Sequence, residues 1–291
     1  MPGFAARSLK YRCAGSPMIE KLAPIAQLAR RARLGPVVGY ARNLVERTAP
    51  ETAVDVDGMR FYGKSIAQRV YLQTLRTGRE RHTGRLFARA IRDDSVVIDV
   101  GAYVGVFTVD AARRAPRGQV YSFEPDPATF CLLERNIEAN CVSDQVIARQ
   151  EAIADVGGFR PLFQHTRNDS RNSLLKSDDT TDGPRVRCAS LDALLPQGLH
   201  VDVIKIDAEG AELEVLAGMS RTLTTSGSKQ VVIVESNPHA LKSAGHGPGE
   251  IVDCLRGHGF EVSVIDDDAG ELTAAHELTL EHCTNLYCTR G

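Results

Sequence analysis

The feature that most constrains the fold of this 291-residue chain is a regular alternation of strand-like and helical segments from residue 95 onward. SVVIDVGA, QVYSFEPD and KQVVIVESN have the composition of buried strands, and VFTVDAARRA, PATFCLLERNIEAN and GEIVDCLRGHGF follow them as helical segments. Strands that alternate with helices predict βαβ units, and therefore a mainly parallel sheet with helices on both faces. The last two strand-like segments, FEVSVIDD and CTNLYCTR, have no helix between them and are expected to pair antiparallel.

Other segments predict further elements. QVIARQEAIAD is predicted as one strand and AELEVLAGMSRTL as one helix. Asp57-Gly58 predicts a hairpin turn within residues 53–62. Helical spacing of apolar residues predicts two helices, over about 65–77 and 80–91.

Charge divides the chain near residue 50. Residues 1–49 contain nine Lys/Arg and two Asp/Glu, a net charge of +7, whereas the whole chain carries −2. We therefore predict a basic helical extension over 1–50 and a main domain over 51–291. Within the main domain, residues 165–187 are polar and rich in Asp, Ser and Asn, which predicts a long lid or substrate loop.

The extension alternates apolar and basic residues at helical spacing over 18–34. A helix docked on the main domain is the favoured interpretation, and a helix on a membrane surface or on a partner is the alternative. Residues 1–17 have no apolar core of signal-peptide length, and either Met1 or Met18 can serve as the start.

Composition excludes several classes of protein. Hydrophobic residues make up 43% of the chain and charged residues 25%, which excludes a wholly disordered or fibrous chain. No apolar run approaches the ~18–20 residues of a membrane span. Seven cysteines at irregular spacings argue against a disulfide framework or a zinc site. They favour reduced thiols in a cytoplasmic protein, with membrane association through residues 18–34 left open.

The first strand of the alternating region ends in a glycine turn, which runs Asp99-Val-Gly101-Ala102-Tyr103-Val-Gly105. Glycine lets the backbone approach a ligand closely, and ligands of open parallel sheets bind at the carboxyl ends of the strands. The DxGxxxG spacing differs from the GxGxxG of dinucleotide-binding proteins, so pyrophosphate binding is not favoured.

The second strand ends in Glu124-Pro125-Asp126, where an acid about 20 residues after a glycine turn suits a bidentate bond to ribose hydroxyls. Together with the glycine turn, this acid predicts an adenosine-containing cofactor without pyrophosphate, S-adenosylmethionine. The end of the third strand, Glu151-Ala152, is expected near the adenine.

The fourth strand ends in the densest polar cluster of the chain. Strand alternation puts Lys205, Asp207 and Glu209 on one side, and Glu235 at the end of the fifth strand is expected beside them. Charged groups at a buried strand end are costly unless they are paired or functional.

Structural alternatives stand beside these assignments. Asp99 can cap the following helix, and Glu124 can form a surface salt bridge. Glu212 is assigned to the dipole of the helix that follows the cluster. His165 and His239 are more simply explained as solvated loop histidines.

The blocks DVGAYVG, FEPD, IKIDAEGAE and VVIVES resemble the FkbM-type family of S-adenosylmethionine-dependent methyltransferases, and IKIDAEGAE is the most specific of them. The resemblance covers about residues 80–289. It implies an α/β, Rossmann-like class I methyltransferase fold with a seven-stranded, mainly parallel sheet in the order 3-2-1-4-5-7-6. It also implies O-methylation of a sugar, glycolipid or polyketide-like acceptor. The family usually has Asn where Tyr103 stands, so Tyr103 departs from the pattern.

The candidate residues form two groups. The expected cofactor-binding residues are Asp99, Gly101, Ala102, Tyr103, Gly105, Glu124, Pro125, Asp126, Glu151, Ala152 and Asp207. The candidate bases are Asp207 first, then Glu209, Glu235 and His239, with Lys205 holding the carboxylates ionised or orienting the acceptor. No metal is assigned, and Mg²⁺ on the three carboxylates is the less favoured alternative.

The acceptor is predicted to be a small hydroxylated molecule. The arginines between residues 76 and 89 indicate either a solvated helix face or an anionic acceptor, and a lipid-linked acceptor is left open. A methyltransferase of nucleic acid or protein is one rival, and the acidic balance beyond residue 49 argues against nucleic acid. A non-catalytic S-adenosylmethionine binder and an oxidoreductase are the others, and oligomer formation is left open.

Overall fold

The computed structural model describes residues 51–290, except 77, 79, 167, 226–228 and 276–281. The strands are β1 (Thr52–Val56), β2 (Met59–Gly63), β3 (Val96–Val100), β4 (Gln119–Phe123), β5 (Val146–Arg149), β6 (Ala152–Ile153), β7 (Gly158–His165), β8 (Thr180–Ala189), β9 (Val203–Ile206), β10 (Val231–Ser236), β11 (Glu261–Asp266), β12 (Glu271–Ala274) and β13 (Thr284–Thr289). The α-helices are α1 (Ile66–Arg76), α2 (Arg81–Ala90), α3 (Val106–Arg114), α4 (Pro127–Ala139), α5 (Leu191–Leu194), α6 (Glu212–Ala217), α7 (Ser220–Thr225), α8 (Pro238–Ser243) and α9 (Pro248–Gly257).

A mainly parallel sheet of eight strands carries the fold, in the order β12-β11-β13-β10-β9-β3-β4-β5. The strands from β10 to β5 in this order are parallel to one another, whereas β13 is antiparallel to both β10 and β11. This sheet has one strand more than the seven predicted, because β12 pairs with the edge strand β11. All four residues of β12 are exposed, so no buried face marks this short edge strand. Without β12 and starting from β5, the strands follow the order β5-β4-β3-β9-β10-β13-β11. Numbered along the chain within this sheet alone, that order reads 3-2-1-4-5-7-6.

A second sheet, β6-β8-β7, corrects two predictions. QVIARQEAIAD is not one strand, because β5 ends at Arg149 and β6 belongs to the second sheet. The segment 165–187 is not one long loop, because β8 begins at Thr180 and pairs antiparallel with β7. The first half of β8 is polar and has no buried residue, so its sequence resembles that of a loop.

The predicted hairpin is confirmed as β1 and β2. Asp57 and Gly58 both have positive φ, of 48° and 76°, as the two central residues of a type I′ turn require. Asn136 of α4 fastens this hairpin, since its side chain accepts from the Tyr62 N–H (2.7 Å) and donates to the Val104 carbonyl (2.8 Å). The hairpin is thereby tied to the turn that precedes α3.

Strand alternation brings the charged residues to one face of the large sheet. Along β3, Val97 belongs to one of the two apolar layers and Ile98 to the other, so Asp99 lies on the Val97 side. Asp99 is in register with Lys205 of β9, and the same face carries Glu235 near the end of β10. The packing of the sheet therefore gathers these side chains at its carboxyl edge.

The predicted helix AELEVLAGMSRTL is two helices, α6 and α7. The chain breaks at Gly218, because its carbonyl accepts from the Asp192 N–H (3.1 Å), outside the helix. A Cβ atom on Gly218 would lie 2.4 Å from the Ala154 carbonyl oxygen, so this position also needs glycine for close packing.

The N-terminal extension and the membrane-crossing capacity of the helices were both subjects of prediction. The predicted extension over 1–50, with its helix over 18–34, lies outside the described residues. In the part of the chain that the structure describes, every helix falls short of the length and hydropathy needed to cross a bilayer.

Candidate active site

A cavity of about 510 Å³ lies at the carboxyl edge of the large sheet. Its lining includes Gly101 after β3, Glu124 after β4, Asp207 after β9 and Glu235 in β10. Parallel strands present all their carboxyl ends at one edge, which is why residues far apart in sequence meet here.

The glycine turn joins three strand ends. The Gly101 and Ala102 N–H groups both donate to the Phe123 carbonyl, at 2.9 and 3.0 Å. Gly101 has a φ of +77°, and a Cβ atom there would lie 1.8 Å from the Asp207 carbonyl oxygen. Only glycine therefore lets the turn after β3 pack against the end of β9.

Glu124 is buried beside this turn, with its carboxyl group held by the backbone. Its Oε2 accepts from the Tyr103 N–H (2.9 Å) and its Oε1 from the Asp126 N–H (2.8 Å). Burial raises the pKa of Glu124 to about 8, and the Asp126 and Asp99 carboxylates add to the rise. Glu124 is only 7% exposed and lines the cavity, so it is not a surface salt-bridge partner.

Asp99 lies under the turn and also lines the cavity. Its Oδ2 accepts from the Thr108 hydroxyl at 2.5 Å, and that hydroxyl lies 2.8 Å from the Ser122 hydroxyl. Burial raises the pKa of Asp99 to about 6, although the Lys205 ammonium lowers it in part. The N-cap residue of α3 is Gly105, but Asp99 also holds the first turn of this helix, because it accepts from both the hydroxyl and the backbone N–H of Thr108.

Tyr103 links the glycine turn to the segment 168–174, all of which lines the cavity. Its hydroxyl donates to Asp169 Oδ1 at 2.8 Å, and its ring packs edge-on against Tyr71, with ring centroids 5.6 Å apart. Burial raises the pKa of the Tyr103 phenol well above its usual range, so the donor proton is kept. Tyr103 has a φ of 52°, a conformation that Asn adopts more readily than a bulky residue.

We expect Tyr103→Phe to weaken S-adenosylmethionine binding by roughly 3–10-fold. The substitution removes one hydrogen bond to a carboxylate and frees the segment that lines the cavity. Calorimetric titration measures the effect, and Tyr121→Phe, on a tyrosine of β4 away from the cavity, is the matched control. Equal affinities of the wild type and Tyr103→Phe would show that this link does not order the site.

The segment between β5 and β6 offers a carboxyl oxygen that accepts no hydrogen bond from the described residues. Glu151 Oε1 accepts from Arg187 at 2.5 Å, whereas the buried Oε2 has no hydrogen-bond partner among the described residues. The Arg149 side chain lies 3.7 Å from that oxygen, beyond hydrogen-bond distance. Ala152 and Ile153 continue the lining with apolar surface.

Lys205 is the buried cation of the predicted cluster. Its Nζ lies 3.6 Å from Asp207 Oδ2 and 5.4 Å from the centroid of the Phe107 ring. Burial lowers the pKa of the Lys205 ammonium, but nearby carboxylates, Asp207 first and then Glu235, raise it by more. The net pKa lies above the usual value, so Lys205 stays charged.

Three carboxyl groups meet beside Lys205. Asp207, Glu209 and Glu235 each offer an oxygen atom within 4.8 Å of the others. Burial raises the pKa of Glu209 to about 8, with the Asp207 charge adding to it. Burial likewise raises the pKa of Glu235 well above its usual value, followed by repulsion from Asp207 and Glu209.

This carboxyl cluster can take up a proton, because neighbouring acids with raised pKa values are stronger bases than ordinary carboxylates. Carboxylate oxygens are also ligands that Mg²⁺ prefers. Lys205 already supplies positive charge to Asp207, so a metal-free site stays our prediction.

Glu212 has a role that the helix-dipole interpretation missed. Its side chain is fully buried, and its Oε1 accepts from the N–H groups of Ala208 (3.2 Å) and Gly210 (2.9 Å). These bonds hold the turn that carries Asp207 and Glu209, and Glu209 has a φ of 47° there. The GAE spacing in IKIDAEGAE was the available signal, since it puts a carboxyl group within reach of its own turn.

We expect Glu212→Ala to destabilise the protein by about 2–4 kcal/mol, because two N–H groups lose their acceptor in a buried turn. Thermal unfolding checks this, with an expected fall in Tm of roughly 5–15 °C. Glu138→Ala is the matched control, because Glu138 is an exposed glutamate of α4 and its loss should change stability by less than about 0.5 kcal/mol. A fall in Tm no larger than that of the control would contradict the bracing role.

Several predicted site residues lie outside the cavity lining. Asp126 is the N-cap of α4, where it accepts from the Ala128 and Thr129 N–H groups (3.0 Å each). Gly105 also contributes to packing, since a Cβ atom there would lie 2.5 Å from the Leu133 side chain. His239 belongs to α8 and, like His165, does not line the cavity. The structure brings together the remaining candidates.

Comparison with known proteins shows that this chain is similar to methyltransferases. The family model described as the methyltransferase FkbM domain matches residues 99–262. The 31-O-demethyl-FK506 methyltransferase FkbM of Streptomyces tacrolimicus is 29% identical over 232 residues, which cover 69% of this chain and 86% of that protein. The hexuronic acid methyltransferase AglP of Haloferax volcanii is 29% identical over 181 residues, which cover 60% and 69%.

Coverage differs among the relatives. The AMB antimetabolite synthetase AmbE of Pseudomonas aeruginosa is 28% identical over 264 residues, which are 76% of this chain but only 12% of that protein. Among solved structures, TYW2 of M. jannaschii in complex with S-adenosylmethionine aligns with 84% of this chain and 88% of its own, at 15% identity and a TM-score of 0.43.

Proposed function

The chain belongs to the FkbM methyltransferase family, and on that premise we propose that it transfers the methyl group of S-adenosylmethionine to a hydroxyl group of a small molecule. The acceptor is a sugar, a glycolipid or a polyketide-like natural product. One observation carries the proposal: the glycine turn, Glu124 and the carboxyl cluster beside Lys205 line one cavity at the carboxyl edge of the sheet.

The residues of the cavity fit this cofactor. Glu124 has a spare lone pair on each carboxyl oxygen for the two ribose hydroxyls. Ala152, Ile153 and Leu162 offer apolar surface to an adenine ring, and the unpartnered Glu151 Oε2 can accept from its amino group. The acidic lining favours a positively charged ligand. When bound, the cofactor supplies an electrophilic methyl group on a sulfonium.

The carboxyl cluster supports removal of the proton from the acceptor. A hydroxyl group is a weak nucleophile, and a positioned base makes its oxygen more reactive. In our proposal Asp207 takes the hydroxyl proton, and Glu209 and Glu235 share the proton with it as one titrating unit. Lys205 Nζ, 3.6 Å from Asp207 Oδ2, orients that carboxyl group in the cavity.

The names of the relatives support the choice of acceptor. One is a methyltransferase of 31-O-demethyl-FK506, a natural product, and another is a hexuronic acid methyltransferase. Both act on small molecules or sugars by their names, and in our proposal this chain does the same.

The proposed function predicts micromolar binding of both S-adenosylmethionine and S-adenosylhomocysteine. Calorimetric titration of the full chain measures binding, and transfer of a labelled methyl group to a panel of hydroxylated sugars and macrocycles measures activity. Detection of a methyl ether in the product by mass spectrometry supports the proposal. A folded protein that binds neither ligand would refute it.

A further inference from the structure

One helix outside the family-matched residues lines the cavity with apolar side chains. Ile66, Ala67 and Val70 of α1 all line it, as does Tyr71. Their spacing puts them on one side of the helix, whereas Leu72 is fully buried in the core. Helix α1 therefore has one stripe in the core and a second at the cavity.

This cavity stripe leaves large apolar side chains open to solvent. Ile66 and Val70 are each 47% exposed, which is high for side chains that line a cavity. A ligand that covers them removes apolar surface from water and gains affinity in proportion to the area covered. We call Ile66, Ala67 and Val70 the apolar wall.

Acidic side chains outnumber cationic ones in the cavity lining. Among the described residues, two cationic side chains line it, Lys205 and Arg171, against eight acidic ones: Glu80, Asp99, Glu124, Glu151, Asp169, Asp207, Glu209 and Glu235. The arginines that suggested an anionic acceptor do not add to the cations, since Arg76, Arg81, Arg85 and Arg89 do not line the cavity.

An anionic acceptor would find no available cation among the described lining residues. Lys205 Nζ lies 3.6 Å from Asp207 Oδ2, and Arg171 is close enough to Glu209 to lower its pKa, so both cations already face carboxyl groups. A phosphate or carboxylate on the acceptor would add a further negative charge close to these groups, at a low local dielectric.

We propose, on the premise of the methyltransferase function above, that the acceptor is an uncharged alcohol with an apolar body. Its apolar part packs on the wall formed by Ile66, Ala67 and Val70, and its hydroxyl group lies at the carboxyl cluster. The wall precedes the family-matched residues 99–262, so this specificity belongs to the chain's own α1.

Three probes separate the two features of this acceptor. Hexyl β-D-glucoside has an apolar body and no charge, glucose lacks the apolar body, and hexyl β-D-glucuronide adds one carboxylate. Each is titrated by calorimetry into the full chain saturated with S-adenosylhomocysteine. We expect hexyl glucoside to bind at least about tenfold more tightly than either of the others.

Substitution of the apolar wall tests whether hexyl glucoside binds to α1. Ile66→Ser combined with Val70→Ser should weaken hexyl glucoside binding by roughly fivefold or more, because the apolar contact is lost. The matched control combines Val156→Ser with Leu272→Ser, two exposed apolar residues that do not line the cavity. The control and the affinity for S-adenosylhomocysteine should not change.

The outcomes keep this inference apart from the proposed function. Failure to bind S-adenosylhomocysteine refutes the function itself. Normal binding of S-adenosylhomocysteine with no binding of hexyl glucoside, or with tighter binding of the glucuronide, overturns the inference alone. A wall variant that weakens S-adenosylhomocysteine instead of hexyl glucoside also overturns it, because the wall would then belong to the cofactor.

Discussion

We expect Glu124→Gln to weaken the binding of both S-adenosylmethionine and S-adenosylhomocysteine by about 100-fold or more. The carboxyl group accepts from two backbone N–H groups, at 2.9 and 2.8 Å, and keeps lone pairs for the ribose hydroxyls. An amide places an NH₂ group where an acceptor is required, so one donor faces another in a buried turn. Calorimetric titration of the two ligands measures the loss.

A matched control distinguishes this role from a general effect of charge. Glu134 is an exposed glutamate of α4, and Glu134→Gln should bind both ligands as the wild type does. Circular dichroism of Glu124→Gln should show an intact fold, since its partners lie in one local turn. Affinity within about threefold of the wild type would remove Glu124 from the proposed cofactor site.

We expect Asp207→Asn to slow methyl transfer by about 10²–10⁴-fold, with little change in the affinity for S-adenosylmethionine. Loss of a positioned base has effects of this size, because the hydroxyl proton has no direct acceptor. Single-turnover transfer of a labelled methyl group measures the rate. Asp253→Asn, on an exposed aspartate of α9, is the control. A rate within tenfold of the wild type would assign the base elsewhere.

The same assignment predicts how the rate depends on pH. Burial and the Asp207 charge raise the pKa of Glu209 to about 8, so Glu209 is mostly protonated below that pH and mostly ionised above it. Only ionised Glu209 can share the proton that Asp207 takes, and the rate should therefore rise with pH and level off above about 8. Glu209→Gln removes this titrating group and should abolish the rise. A rise that stays in place would exclude Glu209 from the titrating unit.

Much of the fold follows from local patterns in the sequence. The glycine turn, Glu124 and the IKIDAEGAE block each stand at the end of an apolar strand. Because the carboxyl ends of parallel strands share one edge, their meeting in a cavity could be predicted without coordinates. The hairpin at Asp57-Gly58 was equally local, since two residues with positive φ define its turn.

Strand β8 was missed because long-range packing outweighed local pattern. It begins with polar, partly exposed residues, and its pairing with β7 makes it a strand. Two other differences are local. Asp126 accepts from the N–H groups two and three residues ahead, at the N-terminus of α4. The Glu212 carboxyl group accepts from the N–H groups four and two residues before it, in the preceding turn.

The sequence by itself determined the alternation of strands and helices in the large sheet and the sheet edge at which the site lies, because hydrophobic periodicity and glycine turns act over a few residues. Only the tertiary structure decided which side chains line the cavity. The Tyr103–Asp169 hydrogen bond spans 66 positions, and α1 brings Ile66 and Val70 to a cavity built from later strands. Such contacts depend on how elements pack in three dimensions, and local sequence patterns carry no signal for them.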